Sequence, residues 1–266
     1  MRHVGTIASR ELKSLFLSPV AYVVLTLWSV IAGTFFLASL LGFSERLARA
    51  QKFQAFQAIQ EMNLNDHLIE LFIGSMWVIL LFVLPAITMG LVANEKANGT
   101  DELLLTSPLS IWEIVLGKFL AGSGFALLLT AIVAFFPALL FYYGEPEVGK
   151  TLAGLLALLL VSISYVAIGI FASSVTRNQL IAFVLTMVLL LIIGMMLPFI
   201  VDISLSGSGV GSDSGIAQGV RWLSTGSHID RMLQGLIDTS DLAYFALTSA
   251  AFLLLSKTVI ESARWR

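Results

Sequence analysis

A long apolar stretch followed by a polar one decides the fold: LIELFIGSMWVILLFVLPAITMGLVA at residues 68–93, then NEKANGTDELLLTSPLSIWEIVLGK at residues 94–118. The first part is apolar apart from Glu70 near its start, and it is long enough to cross the roughly 30 Å hydrocarbon core of a bilayer as one helix. The second part returns the chain to a polar surface before another apolar run begins. The pattern predicts repeated membrane crossings joined by short polar segments.

The composition supports the same fold. Hydrophobic residues make up 58% of the 266 residues and charged residues only 12%, which is too little polar surface to cover a water-soluble domain. We therefore predict an all-α polytopic membrane protein with one transmembrane domain over residues 1–266. Its six spans are predicted at 19–42, 68–93, 112–143, 150–175, 178–201 and 241–261. The chain has no cysteine, so disulfides and thiolate chemistry are excluded.

The Lys and Arg residues orient this protein in the membrane. Six spans put both termini on one side, and the positive-inside rule favours a cytoplasmic location for the side richer in Lys and Arg. With cytoplasmic termini, that side holds the larger share of the 15 basic residues, namely Arg2, Arg10, Lys13, Lys96, Lys118, Arg177, Lys257, Arg264 and Arg266. We therefore expect both termini to be cytoplasmic.

Residues 1–17 have the pattern of an amphipathic helix lying at the membrane interface. One arc of the helical wheel is apolar, and Arg10 lies on the opposite, polar side. Glu11 falls within the apolar arc, where an unpaired carboxylate is unfavourable. Two explanations stay open: Glu11 has a basic or amide partner elsewhere in the protein, or it reaches the hydrated headgroup edge.

The segments between spans carry further signals. Residues 42–67 are predicted to form a short solvated helix outside the membrane. Pro85, Pro137 and Pro198 lie within spans and are hinge candidates, although proline is also common in membrane helices that do not move. No span carries an ionisable residue at its middle, which argues against a proton- or sodium-coupled secondary transporter.

The loop at 202–240 is predicted to carry short amphipathic helices that re-enter the outer leaflet before the last span. A Gly/Ser tip occupies residues 204–215, and Ser227 with Asp230 has capping-box spacing, so a helix is predicted to start near His228. Its apolar face would contain Ile229, Met232, Leu233 and Leu236. His228, Asp230 and Gly235 are the outer gate candidates.

Residues 144–151, GEPEVGKT, match the phosphate-loop pattern by their letters. A working phosphate loop follows a strand and opens a helix in an α/β domain, whereas these residues lie between two predicted membrane helices. Glu145 and Glu147 would also repel phosphates. We reject nucleotide binding at this segment.

The polar stretch at 94–118 contains several helix boundaries. Gly99 and Thr100 are predicted to end one helix and cap the next, with Asp101 and Glu102 in the first turn, where the helix dipole favours acids. Ser110 and Glu113 have the spacing of a capping box at the start of the third span. A short helix along the cytoplasmic face is therefore predicted between them.

These residues, together with Pro85 to Met89, Pro108 to Ser110, Trp112 and Gly117, resemble the permease subunits of ABC-2 type transporters. Within that family the pattern is most similar to the gliding-motility-associated permease subfamily. Two weaker matches are Arg10 to Leu12 and the segment from His228 to Phe245. The resemblance covers essentially the whole chain and departs from the subfamily pattern in the long tip at 204–215.

The resemblance implies that residues 94–110 form a coupling helix that docks in a cleft of a separate ATPase subunit. The implied coupling residues are Glu95, Lys96, Gly99, Thr100, Asp101, Glu102, Leu103, Leu104 and Pro108. ATP and Mg would bind only in that partner, so no catalytic, cofactor-binding or metal-binding residue is expected in this chain.

The resemblance also implies further partners: a second permease chain, an additional outer-face subunit and the bilayer of the bacterial inner membrane. It implies no nucleic acid. The working unit would be an exporter that uses alternating access. A competing hypothesis is a membrane scaffold that anchors an ATPase without moving a substrate.

Overall fold

The computed structural model describes residues 3–54, 62–100, 109–197, 219 and 222–264. In these ranges every regular element is a helix, and six helices are long and apolar enough to cross a membrane. These spans are Pro19–Lys52, Asn65–Asn98, Ile111–Tyr143, Val148–Val175, Gln179–Met196 and Thr239–Ser262. The predicted all-α fold with six spans is confirmed.

We number the helices in chain order. They are α1 Val4–Leu17, α2 Pro19–Lys52, α3 Glu70–Thr88 after a π-helical turn at Asn65–Ile69, α4 Gly90–Asn98, α5 Ile111–Tyr143, α6 Val148–Val175, α7 Gln179–Leu191 with a π-helical turn at Ile192–Met196, α8 Thr225–Leu233 and α9 Thr239–Arg264.

Local signals explain most helix ends. The Ser18 hydroxyl accepts from the backbone N–H of Val20 at 3.3 Å, and Pro19 occupies the first turn of α2, where its missing N–H is not needed. Gly99 has a φ of 69° and ends α4 in the left-handed conformation that glycine tolerates. Ser110 and Glu113 form the predicted capping box, so α5 begins where the sequence indicates.

Helix α6 is the centre of the bundle. In the most apolar part of α6, 67% of the residues are buried inside the protein, against 17% in α2 and 22% in α7. Small residues permit this close packing: at Gly169 a Cβ would overlap with the side chain of Thr88 on α3, and the Ser164 hydroxyl donates to the carbonyl of Phe245 on α9. The sparsely buried α2 and α7 therefore present apolar sides to their surroundings.

Two features of the first third of the chain go beyond the predictions. The helix that carries the first span does not end at residue 42, because α2 continues through Gly42 to Lys52. The i,i+4 pair of Glu45 and Arg49 lies on this extension. The apolar arc of α1 also contacts protein rather than lipid alone, since Ile7 is buried against Gly117 and Leu12 approaches Gly124 on α5.

Helix α8 also begins earlier than predicted. It starts at Thr225, and Ser227 lies within the helix, where its hydroxyl donates to the carbonyl of Ser224 instead of capping. Leu236 is 62% exposed and does not belong to the apolar face, because the helix ends at Leu233 and the chain turns at Gly235.

The hinge candidates stay predictions. Pro85 lies in the last turn of α3, just before the break at Met89 that separates α3 from α4. Pro137 lies in α5, which is assigned as one helix to Tyr143. Pro198 and the tip at 204–215 lie outside the described residues, as do the five coupling residues Asp101, Glu102, Leu103, Leu104 and Pro108.

Candidate functional site

One end of the bundle, which we call the terminal face, gathers α1, the end of α4, the start of α5, the end of α6 and the start of α7. Lys96 on α4 donates to the carbonyl of Ser174 on α6. The side chain of Gln179 on α7 donates to Asn94 on α4 at 2.9 Å. These bonds hold the end of α4 against both neighbouring helices.

A buried lysine joins three of these helices. The Lys118 side chain is 2% exposed, and its ammonium donates to the carbonyl of Leu91 at 2.6 Å and to the Glu95 carboxylate at 2.8 Å. The Glu11 carboxylate on α1 lies 3.5 Å from the same ammonium. We call Glu11, Glu95 and Lys118 the terminal-face cluster. It connects α1, α4 and α5 through one cation that forms two hydrogen bonds and one further ion pair.

Glu11 therefore has a basic partner, as the first of the two explanations required. Arg10 adds a hydrogen bond to Glu11 at 2.8 Å, and this bond raises the pKa of the Arg10 guanidinium. The Glu11 side chain is only 13% exposed and lies between these two basic groups.

The break between α3 and α4 is held by Ser173 on α6. Its hydroxyl donates to the carbonyl of Met89 at 2.8 Å and accepts from the N–H groups of Val92 and Ala93 at 3.1 and 2.9 Å. The first turn of a helix has unpaired N–H groups, and Ser173 supplies an acceptor for two of them. Helix α4 is thus fixed at its start to α6 and near its end to α5.

A cavity of about 450 Å³ opens beside the terminal-face cluster, between α1, α2 and the α3 to α4 break. Its polar side includes Arg10, Glu11, Asn94, Glu95 and Gln179, and its apolar side includes Val20, Val24, Ile87, Leu91 and Phe125.

The opposite end, the far face, carries a second polar cluster around α8. His228 and Asp241 are fully buried, and the ring Nδ1 lies 2.6 Å from the Asp241 carboxylate. Arg231 donates to the same carboxylate. We call His228, Arg231 and Asp241 the far-face cluster. The predicted gate residue Asp230 is exposed and lies outside it, whereas Gly235, with a φ of 88°, turns the chain from α8 toward α9.

A comparison with protein-family models matches residues 6–260 to the ABC-2 family transporter protein model. The chain belongs to the ABC-2 family of transporter proteins. It is therefore a multi-pass membrane permease subunit of an ABC transporter, and its family implies association with an ABC ATPase. Members of the family are permeases rather than enzymes themselves. No curated protein sequence matches the chain significantly.

The pseudo phosphate loop of this ABC-2 permease has structural contacts at the far face. It follows helix α5 rather than a strand. Lys150 pairs with Asp66 and lies 3.5 Å from Glu70, and the Asn65 side chain bonds to Thr151 at 3.2 Å. The lysine and threonine that would contact phosphate are thus bound to other side chains, which supports the rejection of a nucleotide site.

Two buried charged residues of this ABC-2 permease, Lys118 and Asp241, were not predicted from the sequence as parts of a cluster. Lys118 was counted among the loop cations, although it lies inside the apolar run of α5 directly after Gly117. A single lysine within a membrane span was the signal for a buried ion pair. Asp241 was not connected with His228, because the 13 residues between them give no periodic pattern that would place them together.

Proposed function

We propose that this permease is the transmembrane part of an ATP-driven exporter of the bacterial inner membrane and moves its substrate by alternating access. A separate ATPase would bind and hydrolyse ATP with Mg²⁺, and two permease chains with two ATPases would form the transporter. The proposal includes the resemblance to the gliding-motility-associated subfamily and the docking of the ATPase on residues 94–110.

The terminal-face cluster is the observation that carries this proposal. The chain leaves α4 through Gly99 toward residues 101–108 and returns at α5. Lys118 on α5 binds Glu95 on α4, so the two flanks of the proposed coupling helix are tied together by a buried ion pair. The contact with Glu11 extends this connection to α1. A displacement of residues 101–108 would thus act on three helices at once.

The distribution of basic residues supports a cytoplasmic location for the terminal face, where an ATPase would find ATP. The apolar sides of α2 and α7 support the second permease chain, because these spans are the least buried of the six in the described residues. An additional subunit at the far face belongs to the same proposal.

Co-purification of the permease with its ATPase tests the docking surface. Glu102→Arg is expected to abolish co-purification and permease-dependent ATP hydrolysis, because it reverses a charge in the proposed coupling helix. Glu45→Arg is the matched control, since Glu45 is exposed on the far end of α2 and pairs with Arg49 on its own helix.

Unchanged docking and hydrolysis in Glu102→Arg would refute the coupling role of residues 94–110. An ATPase that docks normally but hydrolyses ATP at the same rate with and without the permease would instead support the scaffold hypothesis.

A further inference from the structure

The far-face cluster contains a histidine whose two ring nitrogens both have close neighbours. The Nε2 atom of His228 lies 2.8 Å from the backbone carbonyl oxygen of Trp222. The Nδ1 atom lies 2.6 Å from Oδ1 of Asp241 and 2.8 Å from a guanidinium nitrogen of Arg231. These neighbours decide which ring nitrogen of His228 must donate a hydrogen bond.

A carbonyl oxygen only accepts hydrogen bonds, so Nε2 of His228 must carry a hydrogen and donate it to Trp222. If this were the only ring hydrogen, Nδ1 would present a lone pair to Oδ1 of Asp241. An ionised carboxylate oxygen also presents only lone pairs, and two acceptors at 2.6 Å without a hydrogen between them repel each other. A guanidinium nitrogen of Arg231 lies close to both atoms and donates to Asp241, and a second ring proton on Nδ1 would give His228 its own hydrogen bond to the carboxylate.

We infer that His228 and Asp241 form a proton-binding site that clamps α8 to the start of α9. With the proton bound, Nδ1 of His228 and the guanidinium of Arg231 both donate toward Oδ1 of Asp241. Without it, Nδ1 and Oδ1 are two acceptors that only Arg231 connects. Loss of the proton thus removes the hydrogen bond from His228 to Asp241 and leaves the bond from Arg231 in place.

The neighbouring groups explain why the proton can leave and why its loss weakens the contact between His228 and Asp241. Arg231 is a permanent cation beside the site and opposes a second positive charge. Oδ2 of Asp241 and the Ser224 hydroxyl are buried without a hydrogen-bond partner among the residues that the structure describes. A buried unpaired polar atom is unfavourable, so the clamp is incompletely satisfied even when the proton is bound.

Three other titratable residues near the site, Tyr244, Tyr165 and Lys150, have partners of their own among the described residues. Tyr244 on α9 stacks on the His228 ring with centroids 4.1 Å apart, and its hydroxyl donates to the carbonyl of Leu223. On α6, Tyr165 accepts from Trp77, and Lys150 is paired with Asp66 and Glu70. Arg231 and Asp241 are thus the charged groups that contact His228 in this part of the structure.

The clamp holds α8 on the bundle. Ile229, Met232 and Leu233 are buried on its inner face, and a Cβ at Gly226 would lie 3.0 Å from the carbonyl of Gly194 after α7. These contacts hold one side of α8 against the bundle, while the polar bonds attach it to α9. The site therefore makes the attachment of α8 sensitive to pH at the far face, whichever substrate the permease moves.

Nitrogen NMR of the histidines tests this site directly, because the chain has only three histidines. The full permease in lipid nanodiscs, labelled with ¹⁵N at histidine, is titrated from about pH 5 to about pH 9, the range in which histidine changes charge. His3→Gln and His67→Gln identify the remaining signal as His228 without touching the cluster. We expect a proton at Nε2 throughout and a single titration step at Nδ1.

Replacing Asp241 by Asn removes the carboxylate that holds the proton, so the midpoint of this step should fall by about one pH unit or more. An Nδ1 without a proton across the whole range, or a midpoint that Asp241→Asn leaves unchanged, would overturn the inference.

Hydrogen exchange of the wild-type permease gives a second test that does not depend on the variant folding. Protection of the α8 amides, corrected for the intrinsic pH dependence of exchange, should fall about tenfold across the His228 midpoint while that of central α6 amides stays constant. Constant protection of α8 across the midpoint would show that the proton does not clamp the helix.

Discussion

Both ends of the bundle contain buried charged groups, but the two clusters differ in how completely those groups are paired within the described residues. In the terminal-face cluster the ammonium of Lys118 donates to Leu91 and Glu95 and forms an ion pair with Glu11 at 3.5 Å, and Arg10 completes the pairing of Glu11. In the far-face cluster, Asp241 faces both Arg231 and His228, and one of its oxygens has no partner among the described residues. One end is a fixed joint, and the other is a joint whose strength depends on a proton.

This difference fits the coupling role proposed for the terminal face and the gate that the sequence predicts at the far face. A joint that transmits a displacement must keep its geometry, which a fully paired buried lysine provides because removing one partner is strongly unfavourable. A gate needs a contact that opens at small energetic expense, which a site with an exchangeable proton provides. Substitutions and pH changes at the two ends should separate these roles, with effects that range from several kcal/mol at Lys118 to a slight one at Asp238.

Replacing Lys118 by Met should give the largest effect. It leaves two carboxylates, Glu11 and Glu95, without their buried cation, and breaking such an ion pair typically lowers the free energy of unfolding by about 3–5 kcal/mol. Thermal unfolding in detergent measures the loss. Lys52→Met, at the exposed end of α2, is the control and should be near neutral. Equal stability of the two variants would contradict the fixed joint.

Replacing Gly117 by Ala tests how α1 is seated next to that joint. The added Cβ would lie 2.5 Å from Cγ2 and 2.7 Å from Cβ of Ile7, and such overpacking usually costs about 1–3 kcal/mol. Gly149→Ala is the matched control, because nothing lies within 4 Å of a Cβ there. If both variants unfold at the same temperature, α1 does not pack on α5 as described.

Replacing Gly235 by Ala addresses the far face. A φ of 88° is strained for alanine, and the new Cβ would lie 3.3 Å from Cγ of Lys150, so a loss of about 1 kcal/mol is expected at this turn. Exchange of the amides at 234–238 should become faster while exchange near Lys118 stays unchanged. Acceleration at both ends would mean that the two joints are not independent.

Acidification should weaken the start of α9 slightly. Hydrogen bonds from the Ser240 hydroxyl and N–H and from Thr239 lower the pKa of Asp238. A carboxyl with a lowered pKa stabilises the folded state above its ordinary titration range, and this contribution disappears as the pH falls through the lowered value.

Amide exchange in the first turn of α9 at acidic pH measures this effect. The Asp238→Asn variant is the control, since asparagine also caps helices but does not titrate. An identical pH dependence of exchange in this variant and in the wild-type protein would rule out Asp238 as the cause.

The fold was predictable because membrane spans depend on local composition. The apolar runs, the capping box at Ser110 and the helix end at Gly99 are all encoded within a few residues. The boundary of α2 was not, since nothing in the sequence distinguishes a helix that ends at Gly42 from one that projects to Lys52.

The candidate site was harder to predict because its bonds join distant parts of the chain. Glu11 was expected either to have a partner or to reach the headgroup edge, and its partner Lys118 lies on another helix. His228 was recognised as a gate candidate, but its sequence neighbour Asp230 is exposed and its real partner is Asp241. Sequence spacing identifies neighbours on one helix and gives no information on contacts between helices.

The most direct test of the central claim measures docking and activity separately in the permease and ATPase complex. Glu95→Gln keeps a polar side chain but removes the charge that pairs with Lys118. Glu70→Gln, beside Lys150 at the far face, is the matched control. The account predicts that the ATPase co-purifies normally with both variants, and that permease-dependent ATP hydrolysis falls severalfold only in Glu95→Gln. Wild-type hydrolysis in Glu95→Gln would show that the terminal-face cluster does not connect the ATPase to the bundle.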